Sequence, residues 1–173
     1  MNKRKVLKII KEVYPYIVVI LIVVLIRTFL VTPARVDGSS MEPTLSNNNL
    51  VILNKLDYRL NNIERFDVVV VKYGDEKLIK RVVGLPGEHI EFKDNNLYID
   101  GNIVSEHFSH GITLDFKIER LGRINIPADT YFVVGDNRGH SSDSRVFGPV
   151  DKKQILGSVK YRFFPLNKIG KIK

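Results

Sequence analysis

Two hydrophobic textures divide the chain. From Val13 to Val31 the sequence reads VYPYIVVILIVVLIRTFLV, nineteen residues whose only charge is Arg27. A helix rising ~1.5 Å per residue makes this run about 28 Å long, close to the thickness of bilayer hydrocarbon, so it is expected to cross a membrane once. Arg27 falls one turn from the far end, where a long side chain can snorkel to the headgroups. Beyond residue 33 the pattern changes to short β-branched runs broken by turn residues, with no sustained helical period. The expected strands are Leu50 to Lys55, Asp67 to Lys72, Leu78 to Gly84, His89 to Lys93, Leu97 to Ile99, Ile103 to Ser105, Tyr131 to Gly135 and Ser158 to Phe164. Asp94-Asn95-Asn96 and Asp100-Gly101-Asn102 supply residues that tolerate positive φ, and so mark hairpins. The stretch from about 88 to 127 is richer in charge and turns than its flanks and reads as a β-rich insertion. The fold class is therefore mainly β, with one N-terminal transmembrane helix ahead of a β-sheet domain.

Charge orients this arrangement. Lys and Arg outnumber Asp and Glu by 27 to 19, for a net charge of +8. Such an excess suits nucleic acid or an anionic membrane. Five of the cations, Lys3, Arg4, Lys5, Lys8 and Lys11, precede the apolar run directly, which selects the membrane and argues against nucleic acid. By the positive-inside rule residues 1–12 are cytoplasmic, 13–31 span the membrane and 32–173 lie outside. A cleaved secretory signal is the competing reading, since Thr32-Pro33-Ala34 offers small residues; the length of the run and Arg27 favour a retained anchor. The absence of cysteine excludes thiol catalysis and thiolate metal sites. His107 and His110 are the only histidines close in sequence, a weak metal pattern, and neither metal nor cofactor is expected.

The segment GSSMEPT, residues 38–44, places Ser39 and Ser40 together. A serine hydroxyl attacks nothing at neutral pH without a base. Further along, in LIKRVVGLPGE, Lys80 sits inside an apolar strand with Leu78 and Val82 on its face by the period of two. At the ordinary pKa of ~10.4 only about one lysine in 2,500 is neutral at pH 7. Burial among apolar neighbours lowers that pKa, because it disfavours the charged form, and makes the amine available as a general base.

Three blocks carry a family resemblance: Ser40-Met41 with Pro43-Thr44, then KRVVGLPG from Lys80 to Gly87, then GDNRGHSSDSRVFG at 135–148. In this order, behind an N-terminal anchor, they resemble type I signal peptidase of the Gram-positive kind, a membrane-anchored serine protease with a Ser/Lys dyad. The similarity extends to the closing RFFPLNKIG. The resemblance implies Ser40 as nucleophile and Lys80 as general base. It assigns Ser141 the job of orienting the lysine, and Arg81, Asp136, Asp143 and Arg145 that of tying the loop together. Gly38 stands where Gram-negative relatives carry an oxyanion-hole serine, leaving the Ser40 N–H as the nameable donor. Gly139-His140 and Glu88 depart from common family residues at positions read as peripheral.

The function so implied is cleavage of N-terminal signal peptides from exported preproteins at the outer face of the cytoplasmic membrane, by a monomer without cofactor. The expected partners are preproteins and membrane lipid. The substrate would lie extended along an exposed strand, with small residues entering shallow pockets in the Ala-x-Ala manner. Met41 and Leu45 are apolar residues expected near the catalytic surface, touching substrate or lipid. Phe163 and Phe164 are assigned to the core. Rival readings are a self-cleaving repressor, which is soluble and carries a DNA-binding domain, a conjugation-type or organelle processing peptidase, and a catalytically idle anchored binding module.

Overall fold

The computed structural model describes residues 3–25, 30–56 and 62–172. Its helix α1 (Lys3–Leu25) bears an apolar surface from Val13 to Leu25 that is largely exposed. No helix among the described residues is long and apolar enough to cross a membrane. Arg27 lies outside the described residues. Val31, expected as the last residue of the span, instead opens strand β1 (Val31–Arg35), which pairs antiparallel with β2 (Leu50–Asn54). Its β-branched side chain and the ladder with Asn54 outweigh the apolar run to which it belongs in sequence.

Everything after α1 is mainly β. The larger sheet adds β3 (Val68–Tyr73), β4 (Glu76–Gly84), β9 (Thr130–Val134), β10 (Val150–Asp151) and β11 (Ile155–Phe164) in the order β1-β2-β11-β3-β4-β9-β10, with β12 (Gly170–Lys171) beside β11. A second sheet, order β7-β6-β5-β8, is built from β5 (Ile90–Lys93), β6 (Asn96–Ile99), β7 (Asn102–Val104) and β8 (Phe116–Lys117). Two-residue turns at Asp94-Asn95 and Asp100-Gly101 join β5 to β6 and β6 to β7, with positive φ at all four residues, as the type I′ hairpin requires. All eight strands read from the sequence are present within a few residues; β1, β8, β10 and β12 were not foreseen. Three of these are two-residue strands, too short to show alternation.

Three apolar clusters hold the sheets together. Phe92, Phe116 and Phe132 centre the one beneath the small sheet. Val69, Val71, Val82 and Val133 lie on one face of the large sheet, and Val68, Val70, Val51 and Leu53 on the other. Phe164 is not core as expected: it is 46% exposed at the end of β11, beside exposed Leu166 and Ile169.

Candidate active site

Strand β4 delivers two adjacent cations to opposite faces of the large sheet, because successive side chains of a strand alternate. Lys80 opposes Val69 and Arg81 opposes Val68 on β3. Both are buried, at 2% and 1% exposure. The Lys80 Nζ lies 2.7 Å from Ser40 Oγ, in hydrogen-bond contact. Burial holds the Lys80 pKa below that of an ordinary lysine; Asp143 and Asp136 pull it up and Arg145 pushes it down, and burial prevails.

Ser40 reaches this position because its neighbours are anchored. Met41 and Leu45 are 1% and 0% exposed, packed with Val36, Val51, Val68 and Val70. They are therefore not surface contacts for substrate or lipid. Alternation of polar and apolar residues in a turn carries no period, so sequence could not tell which apolar side chains face inward. A helical turn follows, with Leu45 N–H donating to Met41 O (2.8 Å) and Glu42 N–H to Ser39 O (3.1 Å). Gly38 has φ +88°, and its N–H donates to Asn47 Oδ1 at 3.2 Å. A Cβ there would meet nothing within 4 Å, so the left-handed backbone, and not lack of space, disfavours a side chain at this position.

The loop after β9 closes over the serine. Asn137 donates its backbone N–H to Ser40 O (3.0 Å) and its side-chain Nδ2 to Ser39 O (3.1 Å). Gly135 allows this approach: a Cβ on it would collide with Ser141 Oγ and Ser40 O. Ser141 is thus brought beside the Ser40 loop, but its buried Oγ has no hydrogen-bond partner of ordinary geometry. The bond from Ser141 to Lys80 implied by the resemblance is absent, and the lysine's hydrogen bond runs to Ser40 instead.

Behind Ser40 and Lys80 stand ion pairs. Arg81 grips Asp136 with two hydrogen bonds, Nε to Oδ1 at 2.9 Å and Nη2 to Oδ2 at 2.7 Å, and Thr44 Oγ1 donates to Asp136 Oδ2. The Arg81 guanidinium also stacks 3.8 Å from the centre of the Phe108 ring. Arg145 grips Asp143 in the same bidentate manner, at 2.9 and 2.8 Å, and donates to Arg138 O at 2.8 Å. Burial pushes the Asp143 carboxyl up, but the hydrogen bond and charge of Arg145, the nearby Ser141 hydroxyl and the Gly135 N–H outweigh it and hold the carboxyl below its usual range.

Other parts of the site were missed by the sequence reading. Arg138 is buried and pairs with Glu106, Thr113 Oγ1 (2.9 Å) and Gly135 O (3.1 Å); its place inside the GDNR block was the available signal. Asn137 in the same block was also passed over. Glu88, read as peripheral, binds Arg65 through both oxygens and accepts the Leu85 N–H at 2.7 Å, closing the turn after β4. His140 is exposed, and the described residues contain no cluster suited to a metal ion.

A family model described as "Signal peptidase, peptidase S26" matches residues 9–164. The chain belongs to the signal peptidase family, peptidase S26. Signal peptidase I of Bacillus amyloliquefaciens is 40% identical over 167 residues, covering 91% of this chain and 89% of that protein. Signal peptidase I V of Bacillus subtilis is 45% identical over 137 residues, 72% of this chain and 81% of the relative. Signal peptidase IB of Staphylococcus aureus (strain COL) is 35% identical over 176 residues, 91% and 92% of the two chains. A crystal structure of a signal peptidase I from Enterococcus faecalis V583 superposes with a TM-score of 0.52 at 34% identity, covering 57% of this chain and 97% of that one. Family membership makes the protein a serine peptidase, a hydrolase.

Proposed function

We propose that this protein is a signal peptidase I that cleaves signal peptides from exported preproteins through a dyad of Ser40 and Lys80. The contact of 2.7 Å between Lys80 Nζ and Ser40 Oγ, with the lysine buried and its pKa lowered, carries the reading. Neutral Lys80 accepts the Ser40 proton as Oγ attacks the scissile carbonyl carbon. The negative charge passes to the carbonyl oxygen, within reach of the Ser40 N–H. Protonated Lys80 then gives its proton to the leaving amine, and the amide bond breaks to leave an acyl-enzyme. Lys80 next takes a proton from water as its oxygen attacks the acyl carbon, then returns that proton to Ser40 Oγ as the ester bond breaks, and the product leaves as a carboxylic acid that ionises in solution.

Asn137 supports the geometry of this step. Its Nδ2 holds the carbonyl of the Ser39–Ser40 peptide, and the planar trans peptide turns the Ser40 N–H the opposite way. Arg81, Asp136, Asp143 and Arg145 hold the loops that carry the dyad, while Met41 anchors the serine from below and Gly38 gives it its turn. Ser141 lies beside the site, its hydroxyl buried near Gly135 and Asp143.

The same reading makes residues 1–12 cytoplasmic, 13–31 a single membrane anchor and 32–173 the external domain, in a protein acting as a monomer. Its support is the exposed apolar surface of α1 behind five basic residues. Detergent-solubilised protein should cleave a preprotein, Ser40→Ala should abolish cleavage and Ser39→Ala should keep most of it. Equal loss in folded Ser39→Ala would refute the assignment of the nucleophile. Protease added to intact spheroplasts should digest the domain and spare an N-terminal tag; a protected domain would refute the topology.

A further inference from the structure

The connection from β7 to β8, residues 105–115, forms no strand, yet the side chain of its Glu106 is only 4% exposed. A carboxylate withdrawn from water is costly unless a cation meets it. Arg138, itself 0% exposed, does so with two nitrogens: Nη2 donates to Glu106 Oε1, and Nη1 donates to Oε2 at 3.4 Å. The other hydrogen bonds of this guanidinium run to neutral oxygens, Thr113 Oγ1 and Gly135 O. Among the described residues Glu106 is the acid that pairs with it. Three acid–arginine pairs therefore brace the loop after β9, and they differ in where the partner comes from. Asp136 meets Arg81 and Asp143 meets Arg145, all four inside the motif blocks, whereas Arg138 takes its acid from the segment that carries the small sheet. That segment is fastened to the loop at further points. Gly111 N–H donates to Asp136 O at 2.8 Å, Phe108 covers the Arg81 guanidinium, and Thr113 N–H donates to Asn95 Oδ1 at 2.7 Å in the turn between β5 and β6. A Cβ on Gly111 would lie 3.2 Å from the Arg138 backbone nitrogen, so the two backbones run in close contact.

Arg138 directly follows Asn137, whose N–H and Nδ2 hold the carbonyls of Ser40 and Ser39. Its guanidinium reaches back past Asn137 to Gly135 O, so the place of the guanidinium sets the curvature of the span 135–138 from which both Asn137 donors project. Glu106 fixes that place. No hydrogen bond joins Glu106 to Ser40 or Lys80 among the described residues, and its influence on them runs through Arg138. We propose that Glu106 is a positioning residue for the peptidase reaction: through Arg138 it holds Asn137 against the Ser39 and Ser40 carbonyls, and so aims the Ser40 N–H at the developing oxyanion. This inference rests on the proposed function and gives the inserted small-sheet segment a part in it.

The test compares Glu106→Gln, Asn137→Ala and the double variant, each as the full chain in neutral detergent, on one synthetic peptide with an Ala-x-Ala site. All rates are taken at a single pH, because His110 Nε2 lies 3.4 Å from the same carboxylate. Glu106→Gln should lower kcat about tenfold with KM within about twofold of wild type, as for a group that acts only in the transition state. The double variant should lose about ten- to twentyfold, well short of the roughly hundredfold product of independent effects, since Glu106 works through the residue that Asn137→Ala has already truncated. Losses that multiply, a rise in KM at constant kcat, or an unchanged kcat would each overturn the proposal. Glu106→Gln leaves Arg138 buried without its acid, so its folding is checked by a melting curve. Should it not fold, Thr113→Val decides, because it removes one neutral bond to Arg138 and keeps the ion pair. Its kcat should then fall about two- to fourfold at constant KM, and less than about twofold further when added to Asn137→Ala; an unchanged kcat, or the full product, would overturn the proposal. A wild type no faster than Ser40→Ala on this peptide would instead sink the proposed function.

Discussion

Lys80 and Arg81 are consecutive, both cationic by type and both buried, yet the two faces of β4 treat them in opposite ways. Arg81 faces a carboxylate, makes two charge-assisted bonds to it, and covers its planar group with Phe108. Lys80 faces valines and a serine hydroxyl. The carboxylates nearest to it electrostatically, Asp143 and Asp136, are each already committed to an arginine. Burial can then lower the lysine's pKa, since no free negative charge remains to stabilise its ammonium form. The paired arginines thus do more than brace the loop: by occupying the aspartates they favour the neutral amine that the proposed role of Lys80 requires.

Removal of the lysine should give the largest effect. Lys80→Met is expected to lower preprotein cleavage by about a thousandfold or more while leaving thermal stability equal or slightly raised, because an apolar side chain replaces a buried amine without an acidic partner. A large fall in Tm for this variant would show that Lys80 serves the fold. On the other face the pattern reverses. Arg81→Met leaves Asp136 buried without its guanidinium and should cost about 3–5 kcal/mol of stability, read by denaturant titration. Stability within about 1 kcal/mol of wild type would break the contrast between the two faces.

A change of intermediate size should follow from Arg145→Met. It frees the Asp143 carboxylate and removes a positive charge, and both raise the Lys80 pKa. The rising limb of kcat/KM against pH, which in wild type should lie below the ordinary lysine value of ~10.4, should therefore move to higher pH. Stability gives an independent sign. In wild type the depressed Asp143 pKa stabilises the fold above the unfolded value of about 3.9, and that contribution is lost as pH falls through the lower folded value. In the variant burial acts unopposed by Arg145, so the stability gap between the two proteins should close as the solution is acidified below about pH 4. A pH limb that stays in place would mean that Arg145 does not tune the base.

The smallest effect is expected at the turn that aims the serine. Asn137→Ala keeps the backbone bond to Ser40 O but loses the side-chain bond to Ser39 O. A drop of about tenfold in kcat with little change in KM is expected, as for a donor that acts only in the transition state. A rise in KM at constant kcat would place Asn137 in substrate binding instead.

Much of this site was legible before any coordinates. Alternation located the strands, the Asn- and Gly-containing pairs located both type I′ turns, and the order of three motif blocks singled out Ser40 and Lys80. Such features are local: they depend on backbone propensity and side-chain period, which a single segment carries by itself. Tertiary structure alone decided the rest. Met41 and Leu45 proved to be buried anchors, Phe164 an exposed residue and Val31 part of a strand. The aspartates were divided between Arg81 and Arg145, Arg138 acquired Glu106 from the loop between β7 and β8, and Ser141 came to rest near Asp143 and the Ser40 loop, without the bond to Lys80. Each of these outcomes depends on which distant segment arrives within a few ångströms of a given side chain. Identity and order along the chain state what a residue is able to bind, whereas packing determines which of several chemically equivalent partners it meets.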